Sequence, residues 1–209
     1  MRFLIFLFSA FVLFFSMSSM AQTTGQTPAE IVQKAENYLN SLKTLKADFT
    51  QMAQWNQTNV TGDFYLSRPG KLRFDYDPPV EDFIVADGNF IFYYDGDQEQ
   101  QSNAPIGATL ADFLLRDPIS LSGKISVSNV EETLSDYFIT LVQTEDPHAG
   151  SLTLVFKKEP FALNRWVVVD GQGLQTQVAL KNIETGMPLD RNMFYYIDPK
   201  HGKERRLNQ

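Results

Sequence analysis

From Gly62 to Pro79 the chain alternates with a period of two on both sides of an Arg68-Pro69-Gly70 corner, a pattern that commits it to an antiparallel sheet. Phe64, Leu66 and Arg68 fall on one face of the first strand, so an arginine continues a row begun by two apolar side chains. Pro69 and Gly70 turn the chain. Leu72, Phe74 and Tyr76 then share one face of the next strand, while Arg73, Asp75 and Asp77 share the other. That is the alternation of a sheet with one wet side.

The same rhythm runs through most of the chain. Strands are expected over Ala47 to Trp55, Phe83 to Ala86 and Phe90 to Tyr94, the last two joined by an Asp87-Gly88 hairpin turn. Gln98 to Ser102 follows the Asp95-Gly96-Asp97 turn. From Ile125 the strands continue as Ile125 to Val130, Tyr137 to Val142, Ser151 to Lys157, Leu163 to Asp170, Leu174 to Ile183 and Met193 to Ile197. Regular spacing of this kind implies an all-antiparallel barrel or a strongly curved sheet of about eleven strands. Two stretches change period. Thr27-Pro28-Ala29-Glu30 is a capping box with proline at the first helical position, and it opens an amphipathic helix to about Lys43. Thr109 to Asp112 can cap a short helix carrying Leu110, Phe113 and Leu114, ended at Asp117-Pro118. Both helices must lie on the sheet.

Before the first helix, Met1-Arg2, the apolar run Phe3 to Phe15 and Ser19-Met20-Ala21 have the three parts of a secretory signal, with cleavage expected after Ala21. The run falls short of the ~20 residues of a spanning helix. The remainder, residues 22–209, reads as one domain. The full chain carries a formal charge of −7, and loss of Arg2 with the leader leaves −8. An acidic surface is repelled by nucleic acid and by anionic headgroups, so neither is an expected partner. There is no cysteine, which leaves the exported fold to its core and excludes a lipid-modified cysteine at the cleavage site.

No enzymatic centre is legible. His148 and His201 stand in a loop and in the basic tail, no Gly-x-Ser-x-Gly elbow or phosphate loop occurs, and no cluster has metal-ligand spacing. Asp75 and Asp77 share a strand face and read as solvated carboxylates. What the chain does offer is apolar surface, since 13% of it is aromatic and most of those residues fall on expected strands. Such residues either fill a core or line a container for greasy ligands.

Taken in order, Ala47-Asp-Phe-Thr-Gln51, then Gly62-x-Phe-x-Leu-x-Arg-Pro-Gly-Lys-x-Arg-Phe-x-Tyr-x-x-Pro79, then Ile84-Val-Ala-Asp-Gly88 leading to Phe92-Tyr-Tyr-Asp95, resemble the periplasmic outer-membrane lipoprotein carriers, the LolA family. The resemblance runs from the first helix to about Ile183 and follows the family least well beyond it. It implies an incomplete antiparallel β-barrel with an α-helical lid over an apolar cavity, and a monomeric, non-enzymatic periplasmic chaperone with no cofactor. The implied partners are acylated lipoproteins as cargo, an inner-membrane ABC-type release complex and an outer-membrane acceptor. By the same resemblance Phe64, Leu66, Leu72, Phe74, Tyr76, Phe92 and Tyr94 line the cavity, Leu110, Phe113 and Leu114 belong to the lid, and Arg68 is the lid latch. Leu72 stands where the family is aromatic and Phe74 where tryptophan is frequent. Two other classes stay open: a lipid-sensing regulatory domain of the same fold, which would differ by a second domain, and a secreted hydrolase using Asp75 or His148.

Overall fold

The computed structural model describes residues 25–54, 57–107 and 113–199. The expected signal segment, Leu110 and the basic tail lie outside them. Eleven strands form one antiparallel sheet: β1 (Thr44–Ala53), β2 (Thr58–Ser67), β3 (Lys71–Tyr76), β4 (Phe83–Asp87), β5 (Phe90–Asp95), β6 (Gln100–Pro105), β7 (Ile125–Glu132), β8 (Asp136–Gln143), β9 (Gly150–Lys157), β10 (Ala162–Asp170) and β11 (Gln175–Thr185). The spatial order is β6-β5-β4-β3-β2-β1-β11-β10-β9-β8-β7. Every connection is therefore a neighbour-to-neighbour meander, apart from the β1–β11 seam that joins its two ends and the long excursion between β6 and β7. The sheet does not close, because β6 and β7 are its free edges.

Its curvature can be read from ring distances. Trp166 on β10 lies four strand spacings from Phe74 on β3, which would be ~19 Å across a flat sheet. Their ring centroids are 6.4 Å apart. The sheet therefore wraps one face around a single core, built from Leu45, Phe49, Phe64, Leu66, Leu72, Phe74, Ile139, Leu154, Phe156, Trp166 and Leu180. Gly62 is what lets two of these rings approach. A Cβ there would sit 2.0 Å from the Asp75 carbonyl oxygen and 2.8 Å from the Phe49 ring. Gly70, at φ +79°, lets the Arg68-Pro69-Gly70 corner meet the next hairpin turn, with Gly88 Cα 2.9 Å from where its Cβ would be.

The single α-helix among the described residues, α1 (Pro28–Ser41), starts at the expected capping box. The Thr27 hydroxyl accepts from the Glu30 N–H, and the Glu30 carboxylate accepts from the Thr27 N–H at 2.8 Å. Ile31, Ala35 and Leu39 form its buried stripe, the i, i+4, i+8 spacing of a helix with one apolar face. It ends two residues earlier than the sequence pattern suggested, at Ser41, with the Leu42 N–H closing on the Leu39 carbonyl.

Three expectations are corrected. Residues 96–99 belong to a turn because Asp95 accepts from the Gln98 backbone and side chain, so β6 begins at Gln100 and not at Gln98. The expected strand Met193 to Ile197 is no strand: Arg191–Phe194 is a 3-10 helix capped by Asp190, and the chain then crosses the sheet face, where no ladder is available. Of the expected second helix, Thr109 and Leu110 lie outside the described residues, and Phe113 and Leu114 stand buried in a short 3-10 turn.

A candidate lipid-binding face and its latch

The pairing registers sort the side chains of β1 to β5 onto two faces. On the inner face Leu45 pairs with Leu66, Ala47 with Phe64, Phe64 with Phe74, Leu66 with Leu72, Phe74 with Ile84 and Ala86 with Ile91. Aromatic rings knit this surface together: Phe64 and Phe74 lie 4.6 Å apart, Phe49 and Phe74 5.0 Å, Phe49 and Tyr76 5.2 Å, and Phe64 and Trp166 5.8 Å. Beside them, Leu72, Phe74, Ile84, Ile91, Tyr93 and Ala104 line a cavity of about 360 Å³ toward the β6 edge. Its walls are almost wholly apolar, the character of a site for hydrocarbon.

Phe64, Leu66, Leu72, Phe74 and Tyr76 thus share one face as the sequence pattern implied, but Phe92 and Tyr94 do not. Phe83 pairs with Tyr94 and Val85 with Phe92, which puts all four on the outer face. There the C-terminal segment covers them: Tyr196 stacks on Phe92 at 5.2 Å and on Phe83 at 5.8 Å, and Phe83 stacks on Tyr94 at 5.1 Å. Arg73 holds that segment in place, bonded to Asp75 at 2.8 Å and donating to the Met193 carbonyl at 3.0 Å. The cavity members of β5 are instead Ile91 and Tyr93. Sequence reasoning missed them because Phe-Ile-Phe-Tyr-Tyr is apolar on both faces. It also left out Phe49, although Gly62 directly opposite it was a usable signal.

Arg68 ends the inner row of β2 and is 8% exposed. Its Nη2 donates to the carbonyl oxygen of Leu39 in the last turn of α1, and its backbone N–H donates to the Lys43 carbonyl at 2.9 Å. That last turn has no basic residue of its own, so Arg68 supplies the cation that the carbonyl end of the helix dipole favours. Arg68 Nε and Nη1 are buried without a partner among the described residues. Burial lowers the guanidinium pKa and Asp117 acts against that shift.

The corner holds a second piece. Gly70 N–H donates to the Leu115 carbonyl at 2.8 Å, fixing segment 113–121. That segment is in turn fastened to α1. Asn40 both donates to and accepts from the Ile119 backbone, at 2.9 and 2.8 Å; Glu36 accepts from the Leu121 N–H at 2.7 Å; and, two residues past the helix, Lys43 pairs with Asp117 at 2.8 Å. Buried Phe113, Leu114 and Leu115 belong to the same core as α1. The helix and the segment therefore form one cover, bonded to the sheet at Arg68 and Gly70.

Residues 40–197 match the family model described as outer membrane lipoprotein carrier protein LolA. The chain belongs to the LolA family. An outer-membrane lipoprotein carrier protein of Methylococcus capsulatus is 29% identical over 195 residues, covering 90% of each chain. One of Legionella pneumophila is 29% identical over 183 residues, covering 84% of this chain and 88% of its own. The family match runs past Ile183, so the C-terminal segment with Tyr196 belongs to the LolA pattern, contrary to the sequence expectation. It begins at Asn40, leaving most of α1 outside.

In this LolA-family chain Leu72 and Phe74 keep the inner face apolar. Tyr76 supplies a polar link there, its hydroxyl donating to Gln51 at 3.0 Å. Burial, with Asp82 nearby, pushes that hydroxyl up to about 12. A phenol whose folded pKa exceeds its unfolded value of ~10 adds stability below pH ~10 and loses it as pH climbs toward 12, because only the unfolded chain releases the proton there. Tyr76→Phe is expected to flatten the decline in denaturation midpoint between pH 10 and 12. An unchanged slope in that variant would assign the alkaline lability elsewhere.

Proposed function

We propose that this protein ferries acylated lipoproteins through the periplasm, holding their acyl chains on the inner face of the sheet beneath a movable cover. The observation that carries this reading is the contiguous apolar face of Phe64, Leu66, Leu72, Phe74, Ile84 and Ile91, with its cavity reaching the β6 edge. Each buried methylene is worth ~0.8 kcal/mol, so a multiply acylated cargo needs tens of kcal/mol of hydrocarbon contact in place of a bilayer. About 360 Å³ is near the low end of small-ligand pockets. Several chains need more, and the volume must come from lifting α1 and segment 113–121.

The latch suits that task. Arg68 secures the last turn of α1 through a single side-chain bond, from Nη2 to the Leu39 carbonyl, and one charged hydrogen bond of ~1.5–3 kcal/mol keeps closure shallow. Cargo that fills the core can therefore displace the cover. No nucleotide loop occurs in the sequence, so loading draws its energy from an inner-membrane complex of the ABC type, and delivery runs downhill to an outer-membrane acceptor. Export through the signal segment with cleavage after Ala21 belongs to the same reading.

Mass spectrometry of protein purified from the periplasm without detergent tests it. Co-purifying acylated lipoprotein is expected; protein consistently free of acyl species would sink the proposal. Ala104→Trp, which fills the cavity, is expected to weaken binding of an apolar fluorescent probe at least tenfold, a loss of ~1.4 kcal/mol. Titration of the purified variant reads this directly.

A further inference from the structure

A cavity of about 740 Å³ lies away from the apolar face, where the sheet splits. β10 pairs with β11 only from Arg165–Ala179 to Val169–Gln175. Beyond that point Ala162 and Leu163 keep β9 as their ladder partner, and β11 from Leu180 onward keeps β1. Two irregularities produce the split: one residue is inserted between Leu163 and Arg165 on β10, and β11 carries two residues, Asn182 and Ile183, against the single Ala47 of β1. Between the diverging strands the edge of β11 at Leu180 to Ile183 has no strand on its β10 side.

The chemistry of this cleft is specific. Leu163 and Leu180 form its floor and belong to the core, while Lys157, Arg165 and Lys181 stand around its rim. Among the described residues none of the three rim cations is in an ion pair; Arg165 lies over the Phe138 ring at 5.6 Å. In a chain of net charge −7 three clustered cations are a local exception, with Asp136 opposite Lys157 and Asp48 opposite Lys181 in the ladders and only apolar residues opposite Arg165. The floor connects to the lipid face, since Leu180 pairs with Phe49, whose ring is 5.0 Å from that of Phe74.

We infer that this cleft receives an extended acidic peptide segment and, on the proposed carrier function, that the segment is the stretch of cargo polypeptide directly after the acylated residue. A cargo whose hydrocarbon lies inside must lead its polypeptide out. An open strand edge provides main-chain hydrogen bonds to any extended segment, and side chains around it select among them. Three cations select carboxylates, and the apolar floor accepts the start of the acyl chains.

The test uses the full mature chain and three labelled probes: a peptide with a diacylated N-terminal cysteine followed by four glutamates, the same peptide with four lysines, and a fluorescent fatty acid. Wild type is expected to bind the glutamate probe about tenfold tighter than the lysine probe at low salt. Arg165→Glu with Lys181→Glu is expected to erase or reverse that preference without changing fatty-acid affinity. An unchanged preference in the double variant overturns the inference while leaving the carrier function intact. Failure of wild type to bind any acylated probe overturns the carrier reading itself. A benzoylphenylalanine at Asn164 gives an independent readout: cross-links within the first residues after the acylated cysteine support the cleft, and cross-links only to anionic lipid when vesicles are present overturn it.

Discussion

Arg68→Leu is expected to leave cargo bound and to slow its transfer to an acceptor by one to two orders of magnitude. The substitution removes the Nη2 bond to the Leu39 carbonyl and the cation at the end of α1. A hydrogen bond from a charged donor contributes ~1.5–3 kcal/mol, and a cation at a helix C-terminus ~0.3–1 kcal/mol. Cargo binding competes with closure, so whatever the closed form loses appears as tighter retention. The backbone bonds from Arg68 to Lys43 and from Gly70 to Leu115 survive, so the corner keeps its shape. Arg68→Lys keeps a charge but not the fork and is expected to fall between the two. The measurement is the fraction of lipoprotein passed from purified loaded carrier to acceptor membranes over time; a wild-type rate for the leucine variant would remove Arg68 from the release step.

Gly62→Ala is expected to destabilise the fold by about 3 kcal/mol or more, at the upper end of overpacking substitutions. The added methyl meets the Asp75 carbonyl oxygen at 2.0 Å and the Phe49 ring at 2.8 Å. The first is ladder backbone and cannot swing aside. The second is 1% exposed and packed edge-on against Phe74 and Tyr76. For a domain of this size the loss corresponds to a fall in Tm of roughly 6–12 °C. Thermal unfolding followed by far-ultraviolet circular dichroism checks it, and a Tm within 2 °C of wild type would mean that β2 and β3 can part without cost.

The two variants separate stability from function, and the same separation explains what could be read early. β2 and β3 were legible because Gly62 to Tyr76 alternates cleanly and its corner carries proline and glycine. The inner position of Arg68 followed from parity alone. β5 was not legible in the same way. Phe90 to Tyr94 is apolar on both faces, and Phe92 and Tyr94 fell on the outer one because Tyr196, about a hundred residues away in sequence, stacks there. Residues 193–197 look like a strand by composition, yet at that place the sheet offers a face and no free edge, so the segment packs by its rings and by the Arg73 bond to Met193.

The sequence by itself determined the antiparallel sheet, the capped helix, the family and the odd arginine at the end of an apolar row, since each is written in local periodicity or in residues close together along the chain. Only the tertiary structure decided that α1 and segment 113–121 form one cover, that Arg68 grips the last turn of α1, which side of β5 lines the cavity, and that the sheet splits between β10 and β11. Those outcomes depend on contacts between residues far apart in sequence and on small irregularities in strand register. A single chain's hydrophobic pattern encodes which faces are apolar, but not which other apolar face arrives to cover them.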